Sequence, residues 1–75
     1  MEKALLLLEV SPQKTDAVYG KLKGLKDVKM AMKIYGRFDI ALLIEVNTTK
    51  DIQNFVLSIR KMPGILSTET LISAD

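Results

Sequence analysis

The sequence predicts a small α+β domain whose elements follow the order β-α-β-β-α-β. Four short apolar segments have the length or alternation of strands, two longer segments repeat apolar residues with helical spacing, and glycine or proline stands near most junctions. This order is typical of a ferredoxin-like sandwich, a four-stranded antiparallel sheet with both helices on one face. Residues 1–75 are predicted to form one domain.

The first half of the chain supplies a strand, a helix and a second strand. Lys3–Val10 is almost continuously apolar and too short for an average helix, so a central strand is predicted. Ser11-Pro12 has the signature of an N-cap followed by proline at the first helical position, and Gly24 marks the helix end. The helix is predicted over Pro12–Lys23. Val28–Tyr35 alternates as a half-buried strand. One face of that strand carries Val28, Met30, Met32 and Ile34.

The second half repeats the pattern with a clearer helix. Phe38–Val46 is predicted as a strand and Ile65–Ser73 as the last one. Between them, Asn47-Thr48-Thr49 is a turn and N-cap cluster, and Pro63-Gly64 stops the helix that follows it. The helix presents one apolar stripe. Its members are Ile52, Phe55, Val56, Ile59 and Met62.

Composition narrows the chemistry available to the chain. It has 75 residues with no cysteine and no histidine, which excludes disulfides, thiol nucleophiles, histidine bases and ordinary zinc sites. No convincing pair of buried acids is visible either, so we expect no enzyme, no catalytic residue, no metal and no cofactor. A core of this size gives limited stability, and oligomerisation is the expected reinforcement.

Charge and hydropathy indicate where in the cell the protein is expected and whether it contacts membranes or DNA. No apolar run is long enough to span a membrane, and Ala4–Leu8, closed by Glu9, is too short for a signal peptide. A cytoplasmic protein without membrane contact is therefore expected. The net charge is only +2, and the lysines between Lys14 and Lys33 lack interleaved aromatic residues. They indicate a solvated surface, so no direct DNA binding is expected.

One face of the predicted sheet has no helix to cover it. Strand alternation directs four apolar side chains out of that face near the sheet centre. They are Leu5, Leu7, Ala41 and Leu43. Charged residues fringe this patch, as in an interface with an apolar core and a polar rim. The rim comprises Glu9, Lys29, Lys33 and Glu45. We expect a homodimer with its sheets packed face to face; the alternative is simply an apolar sheet face.

The junction between the two middle strands is the candidate binding site. Gly36 permits positive φ, and it is followed by an arginine, an aromatic residue and a carboxylate at Asp39. In the functional interpretation, backbone amides at Gly36 approach a small ligand and Asp39 receives its cationic group. The alternative is a hairpin loop with solvated charges.

Two motifs resemble the RAM domain, the effector-binding half of the Lrp/AsnC family of regulators. The first is Gly36-Arg37-Phe38-Asp39 followed by the apolar strand Ile40–Val46, and the second is Met62-Pro63-Gly64-Ile65-Leu66-Ser67-Thr68-Glu69-Thr70. The resemblance covers essentially the whole chain. Family regulators carry an N-terminal helix-turn-helix domain, whereas this chain begins at the first strand, so a stand-alone RAM module is expected.

The resemblance implies an oligomer that senses an amino acid or a related small molecule, with the ligand held between dimers. It implies rings of four or five dimers, an octamer or a decamer, and mixed assembly with a full-length Lrp/AsnC regulator through which the module modulates transcription. The expected ligand-binding residues are Tyr35, Gly36, Arg37, Phe38, Asp39, Ser67, Thr68 and Thr70.

Two other interpretations stay open. An ACT domain shares the element order and also senses amino acids, but its glycine-containing ligand loop follows the first strand. This chain has Glu9-Val10-Ser11-Pro12-Gln13 there, which disfavours an ACT-like regulatory domain. A ligand-independent oligomeric scaffold is the second alternative.

Overall fold

The computed structural model describes residues 1–74, so Asp75, the last residue of the predicted domain, lies outside the described residues. The elements are β1 (Glu2–Val10), a short 3-10 turn (Pro12–Lys14), α1 (Thr15–Leu22), β2 (Val28–Lys33), β3 (Ile40–Val46), α2 (Thr49–Arg60) and β4 (Ile65–Ile72). The predicted order is confirmed, and the strand ends differ from the predicted ones by no more than two residues.

The four strands form one antiparallel sheet in the order β2-β3-β1-β4. The two most apolar strands, β1 and β3, are therefore neighbours at the centre, as predicted. Leu8 pairs with Ile40 and Leu5 pairs with Leu43, which fixes which residues share a face. The helix-covered face is fully buried at its middle. The side chains with no exposure there include Leu6, Leu8, Ile40, Leu42 and Ile44.

The second helix follows its sequence signals closely. Thr48 caps α2 by accepting a hydrogen bond from the Asp51 amide at 3.1 Å, and the Asp51 carboxylate accepts one from the Thr48 amide at 3.1 Å. The predicted apolar stripe buries Ile52, Val56 and Ile59 against the sheet. This capping box and this stripe together explain why the helix begins and packs where it does.

The first helix departs from its predicted start. The Ser11 side chain makes no capping hydrogen bond, and the first turn is a 3-10 turn. The Thr15 hydroxyl instead donates to the Ser11 carbonyl at 3.1 Å. Further along α1, the Tyr19 hydroxyl donates to the Ala31 carbonyl at 3.2 Å, so the helix is anchored to β2 by a polar contact as well as by its buried face.

The second strand reverses the predicted orientation of its side chains. The pairing of β2 with β3 shifts register between Val28 and Met30, which is the mark of a β-bulge. Beyond the bulge Met30 pairs with Leu43 and Met32 with Ala41. The prediction that both methionines share the face of Val28 is therefore wrong, because one extra residue moves the rest of the strand to the other face.

Candidate functional site

The predicted site begins with the loop between β2 and β3. The Ile34 amide donates to the Asp39 carbonyl at 2.9 Å and closes the loop. Gly36 has a φ of 128°, a backbone conformation that residues with a side chain rarely adopt. A Cβ placed on Gly36 would meet no heavy atom within 4 Å. The backbone conformation therefore favours glycine at this position, and the space where a side chain would begin is open.

Asp39 connects this loop to the end of the central strand. Its amide donates to the Leu8 carbonyl at 2.8 Å, and its Oδ2 accepts a hydrogen bond from the Val10 amide at 2.7 Å. The pairing of β1 with β4 shifts register between Glu9 and Val10, so the carboxylate supplies an acceptor where the ladder is irregular. Sequence reasoning predicted a carboxylate for a ligand and missed this structural contact, which has no signal in the local sequence.

The other loop residues differ in how far they extend into solvent. Tyr35 is fully exposed, and the Arg37 guanidinium lies over the Phe38 ring with 5.4 Å between guanidinium carbon and ring centroid. Phe38 is half-buried. The Phe38 ring is thus partly covered, whereas Arg37 is exposed at the surface of the loop.

The three hydroxyl residues of β4 point in two directions. Ser67 donates to the Glu9 Oε1 at 2.9 Å on the open face, since these two residues are a cross-strand pair. Thr68 lies on the helix-covered face, where its hydroxyl accepts a hydrogen bond from the Arg60 Nε at 3.1 Å. Thr70, on the same face as Thr68, lines a groove of about 380 Å³ between α2 and β4.

The two halves of the predicted site share one end of the sheet but not one pocket. Leu8 pairs with Ile40 on one side and with Thr68 on the other, so β1 stands between the loop and the hydroxyl residues. Two strand spacings correspond to roughly 10 Å. Within a single chain the structure therefore does not bring the eight predicted residues around one small ligand.

A wider cavity lies at the opposite end of the sheet, where sequence reasoning predicted only a helix cap. It has a volume of about 650 Å³ and opens between the end of β3 and the start of α2. Its polar lining includes Lys26, Lys29, Glu45, Asn47, Asp51 and Asn54. The mixed signs of these charges identify no particular ligand.

An ion pair between α1 and β2 lies outside the candidate site. Lys33 on β2 forms an ion pair with Asp16 on α1. The hydrogen bond from Lys33 lowers the pKa of the Asp16 carboxyl, and the same bond raises the pKa of Lys33. Within residues 1–74, no group of acidic side chains could hold a metal ion. Neither helix described for this chain has the length and apolar character needed to cross a membrane.

The face of the sheet opposite the helices is apolar in its middle, and Glu69, which pairs with Leu7, is a charged residue on the same face. Leu5, Leu7, Ala41 and Leu43 all lie there, as predicted, and Leu5 is 37% exposed. The bulge in β2 adds both methionines, and β4 adds Leu71. A row of four apolar residues thus crosses all four strands. The row is Met30, Leu43, Leu5 and Leu71. The Lys3 ammonium lies 3.9 Å from the Glu45 carboxylate at the border of this face.

Comparison with known proteins places these features in a family. The chain is 36% identical to FFRP-DM1, with 97% of this chain and 99% of that one covered and a TM-score of 0.93. It is also 36% identical to the hypothetical protein PHS023 of Pyrococcus horikoshii, with 97% and 89% covered and a TM-score of 0.90. The feast or famine regulatory protein Rv3291c of M. tuberculosis, complexed with L-methionine, shares the fold at 17% identity. That comparison covers 100% of this chain and 51% of the other, with a TM-score of 0.85.

Among curated proteins, no sequence matches the chain. The family described as the Lrp/AsnC ligand binding domain matches residues 3–75. Because the match includes both motifs and all four strands, the chain belongs to the Lrp/AsnC ligand-binding domain family.

Proposed function

We propose that the chain is an amino-acid-sensing module that assembles with copies of itself and modulates transcription through partners. Domains of this family are regulatory and not catalytic. The observation that carries the proposal is the open loop at Gly36, where φ is 128° and a Cβ would meet no heavy atom within 4 Å, three residues before the carboxylate of Asp39. Rv3291c, which has the same fold, is complexed with L-methionine, and this supports an amino acid as the ligand class.

An amino acid requires donors for its carboxylate and an acceptor for its ammonium group. In our proposal the amides around Gly36 bind the carboxylate. Asp39 binds the ammonium group through Oδ1, because Oδ2 already accepts a hydrogen bond from the Val10 amide. The half-buried Phe38 supports the loop from its inner side, and Tyr35 and Arg37 border the ligand at the surface.

The hydroxyl residues then come from a neighbouring copy. Ser67, Thr68 and Thr70 lie two strands from the loop within one chain, so they contribute to this ligand only if a second subunit presents them. A site completed by two subunits would couple ligand binding to assembly, because a ligand that contacts both subunits stabilises the assembled state by mass action.

The open face of the sheet supplies the primary contact of this assembly. We propose that two copies pack face to face through Leu5, Leu7, Ala41 and Leu43. Met30, Met32 and Leu71 extend the same apolar surface, and Met30 and Met32 are 53% and 45% exposed. Exposed apolar area of this extent is uncommon on a small monomer and is typical of an interface core.

Regulation is proposed to act through protein partners in the cytoplasm. Dimers would join into an octamer or a decamer, or mix with a full-length Lrp/AsnC regulator. Direct contact with DNA is not part of the proposal, because the net charge is +2 and the exposed lysines are distributed over separate elements.

A thermal-shift screen of the twenty amino acids tests the proposal. A ligand that binds only the folded state raises the melting temperature, by an amount that grows with the logarithm of its concentration once binding is saturated. We expect one amino acid or a small chemical group of them to produce this rise. If no amino acid raises the melting temperature at millimolar concentration, the sensing proposal fails.

A ligand-independent scaffold is the second candidate. It is favoured by one observation, the structural hydrogen bond between the Asp39 carboxylate and the Val10 amide, which gives Asp39 a role without a ligand. The scaffold predicts the same oligomer with and without amino acids. Light scattering of the protein across the screen separates the two candidates.

A further inference from the structure

The two edges of the sheet differ in how they are protected against pairing with another chain. The edge strand β2 carries Lys29 and Lys33 and contains a β-bulge, both of which discourage edge-to-edge pairing. The other edge strand, β4, has the sequence Ile-Leu-Ser-Thr-Glu-Thr-Leu-Ile, with one charge at Glu69 and no proline or lysine. Among the described residues β4 has a strand neighbour on one side only.

The direction of each backbone group on β4 follows from the hydrogen bonds to β1. The Ser73 amide donates to the Lys3 carbonyl at 2.9 Å, and the pairing continues without a shift from Ala4–Ile72 to Glu9–Ser67. Because backbone groups alternate along a strand, those of Ser67, Glu69 and Leu71 point toward β1. Those of Leu66, Thr68, Thr70 and Ile72 point outward, along the open edge.

We propose that β4 pairs edge to edge with β4 of a second copy of this chain, antiparallel, about a two-fold axis at Thr68. This contact is separate from the face-to-face dimer, because it uses the rim of the sheet and leaves Leu5, Leu7, Ala41 and Leu43 uncovered. The Gly36 loop and Asp39 take no part in this contact. The pairing does cover Ser67, Thr68 and Thr70, so a β4 strand paired in this way does not also complete the proposed ligand site of a neighbouring copy.

The register is selected by side-chain chemistry. A two-fold axis perpendicular to the sheet pairs residues of the same face, so each possible register is centred on a single residue of β4. Centring on Glu69 would place two carboxylates directly opposite each other, and centring on Thr70 or Ser67 would oppose Glu69 to an apolar side chain. Centring on Thr68 places the partner's Glu69 opposite Ser67, a small polar side chain, so the carboxylate faces neither a second carboxylate nor an apolar side chain. Ser67 keeps its hydrogen bond to Glu9 within its own chain.

The same register also places apolar residues together. Ile65 stands opposite the partner's Leu71, and the outward backbone groups of Thr68 and of the partner's Thr68 form a reciprocal pair of hydrogen bonds. Leu66, which stands opposite the partner's Thr70, is 62% exposed in the single chain. Pairing therefore covers apolar surface as well as satisfying the open backbone edge.

The helix layer adds a second area of contact. Leu57 on α2 is 54% exposed and Ile72 at the end of β4 is 49% exposed. Both line the groove of about 380 Å³ between α2 and β4. A two-fold axis at Thr68 brings the α2 helices of both copies side by side over the joined edge, which covers this groove. The two Arg60 side chains, each bonded to a Thr68 hydroxyl, also approach one another, so we expect salt to strengthen the contact.

Cysteine cross-linking tests both the contact and its register. The chain has no cysteine, so each introduced thiol reports on one position. Thr68→Cys places two thiols opposite each other with about 5.5 Å between Cα atoms, a separation that a disulfide spans. Thr70→Cys is the matched control on the same strand, face and edge. Thr70 stands opposite the partner's Leu66, so the Cα atoms of the two introduced cysteines lie about 14 Å apart.

We expect Thr68→Cys to form a disulfide-linked dimer at least about tenfold faster than Thr70→Cys, since the geometry of a disulfide is restrictive. Both variants are checked for folding by circular dichroism in the reduced state. Adding Leu43→Lys to a folded Thr68→Cys variant separates this contact from the face-to-face dimer, and cross-linking should persist. Equal rates for the two single variants, faster linkage of Thr70→Cys, or no linkage of a folded Thr68→Cys would overturn the proposal.

Discussion

Asp39 has an observed role in the fold and a proposed role in ligand binding. Its Oδ2 holds the Val10 amide at 2.7 Å, at the place where β1 leaves its regular pairing with β4. That contact orients the carboxylate before any ligand binds. A pre-oriented acceptor loses less conformational freedom on binding, which favours affinity. The two roles predict different responses to two substitutions.

Asp39→Asn retains an acceptor for the Val10 amide and removes the negative charge. We expect the affinity for an amino acid to fall by about 1.5–3 kcal/mol, the value of a hydrogen bond to a charged group, with little change in stability. Asp39→Ala also leaves the Val10 amide without its acceptor, so the free energy of unfolding should fall by about 1–3 kcal/mol. Calorimetry and denaturant titration measure the two effects. Unchanged affinity in Asp39→Asn would place the ammonium group elsewhere.

Gly36 is the second residue with a testable role, and the test rests on its backbone angle φ. Its φ of 128° is rare for any residue with a side chain, so Gly36→Ala should destabilise the fold by about 1–3 kcal/mol even though a Cβ there meets no heavy atom within 4 Å. Gly20→Ala is the control, because that helical position is equally open, and it should stabilise by about 0.4–1 kcal/mol. Denaturant titration compares both variants with the parent. Equal stability of the two variants would mean that the loop changes its conformation and so avoids the strain of a side chain at position 36.

At the scale of elements, the order and type of all the strands and helices were predictable from periodicity, but one orientation was not. The capping signals at Thr48 and the stripe of α2 agree with each other and with the structure. In β2 the bulge at Lys29 moves Met30 and Met32 to the open face, and no residue in the local sequence predicts a bulge. The face on which the β2 side chains lie depends on how β2 pairs with β3, and that pairing is not visible in a single sequence.

The contact between α1 and β2 gives a pH-dependent prediction. Lys33 lowers the pKa of Asp16, so the folded state holds fewer protons than the unfolded state as the pH falls through the aspartate range. The ion pair therefore stabilises at neutral pH and is lost as the pH falls through the lowered pKa of Asp16. At high pH, the raised pKa of Lys33 means that the contribution is lost as the pH rises through that value.

Denaturant titration of the parent and of Asp16→Asn across acidic and neutral pH measures this contribution. We expect the stability difference between them to be small, because both side chains are exposed, and to vanish at acidic pH. Glu2→Gln is the control for removing one acidic side chain, because Glu2 takes part in neither of the ion pairs described for residues 1–74. A difference that persists unchanged in acid would show that the charge pair does not stabilise the fold.

For the whole molecule, the sequence predicted more about surfaces than about the site. The open apolar face follows from alternation alone, since Leu5 and Leu43 must point away from the helices once Leu6 and Leu42 point toward them. The candidate site was predicted as one cluster, yet β1 separates its two halves. Both motifs lie at the same end of the sheet, but the strand order β2-β3-β1-β4 places β1 between them, so they do not form one pocket within a single chain.

The face-to-face dimer is tested by Leu43→Lys. Leu43 stands at the centre of the apolar row, so an ammonium group there would be buried without a partner in the dimer, at a cost of several kcal/mol. Multi-angle light scattering should show that the variant dissociates or that it fails to fold. Leu25→Lys is the matched control, because Leu25 is 40% exposed and lies in the segment between α1 and β2, away from the open face. A parent protein that is a folded monomer, or a Leu43→Lys variant with the parent's mass, would refute the dimer.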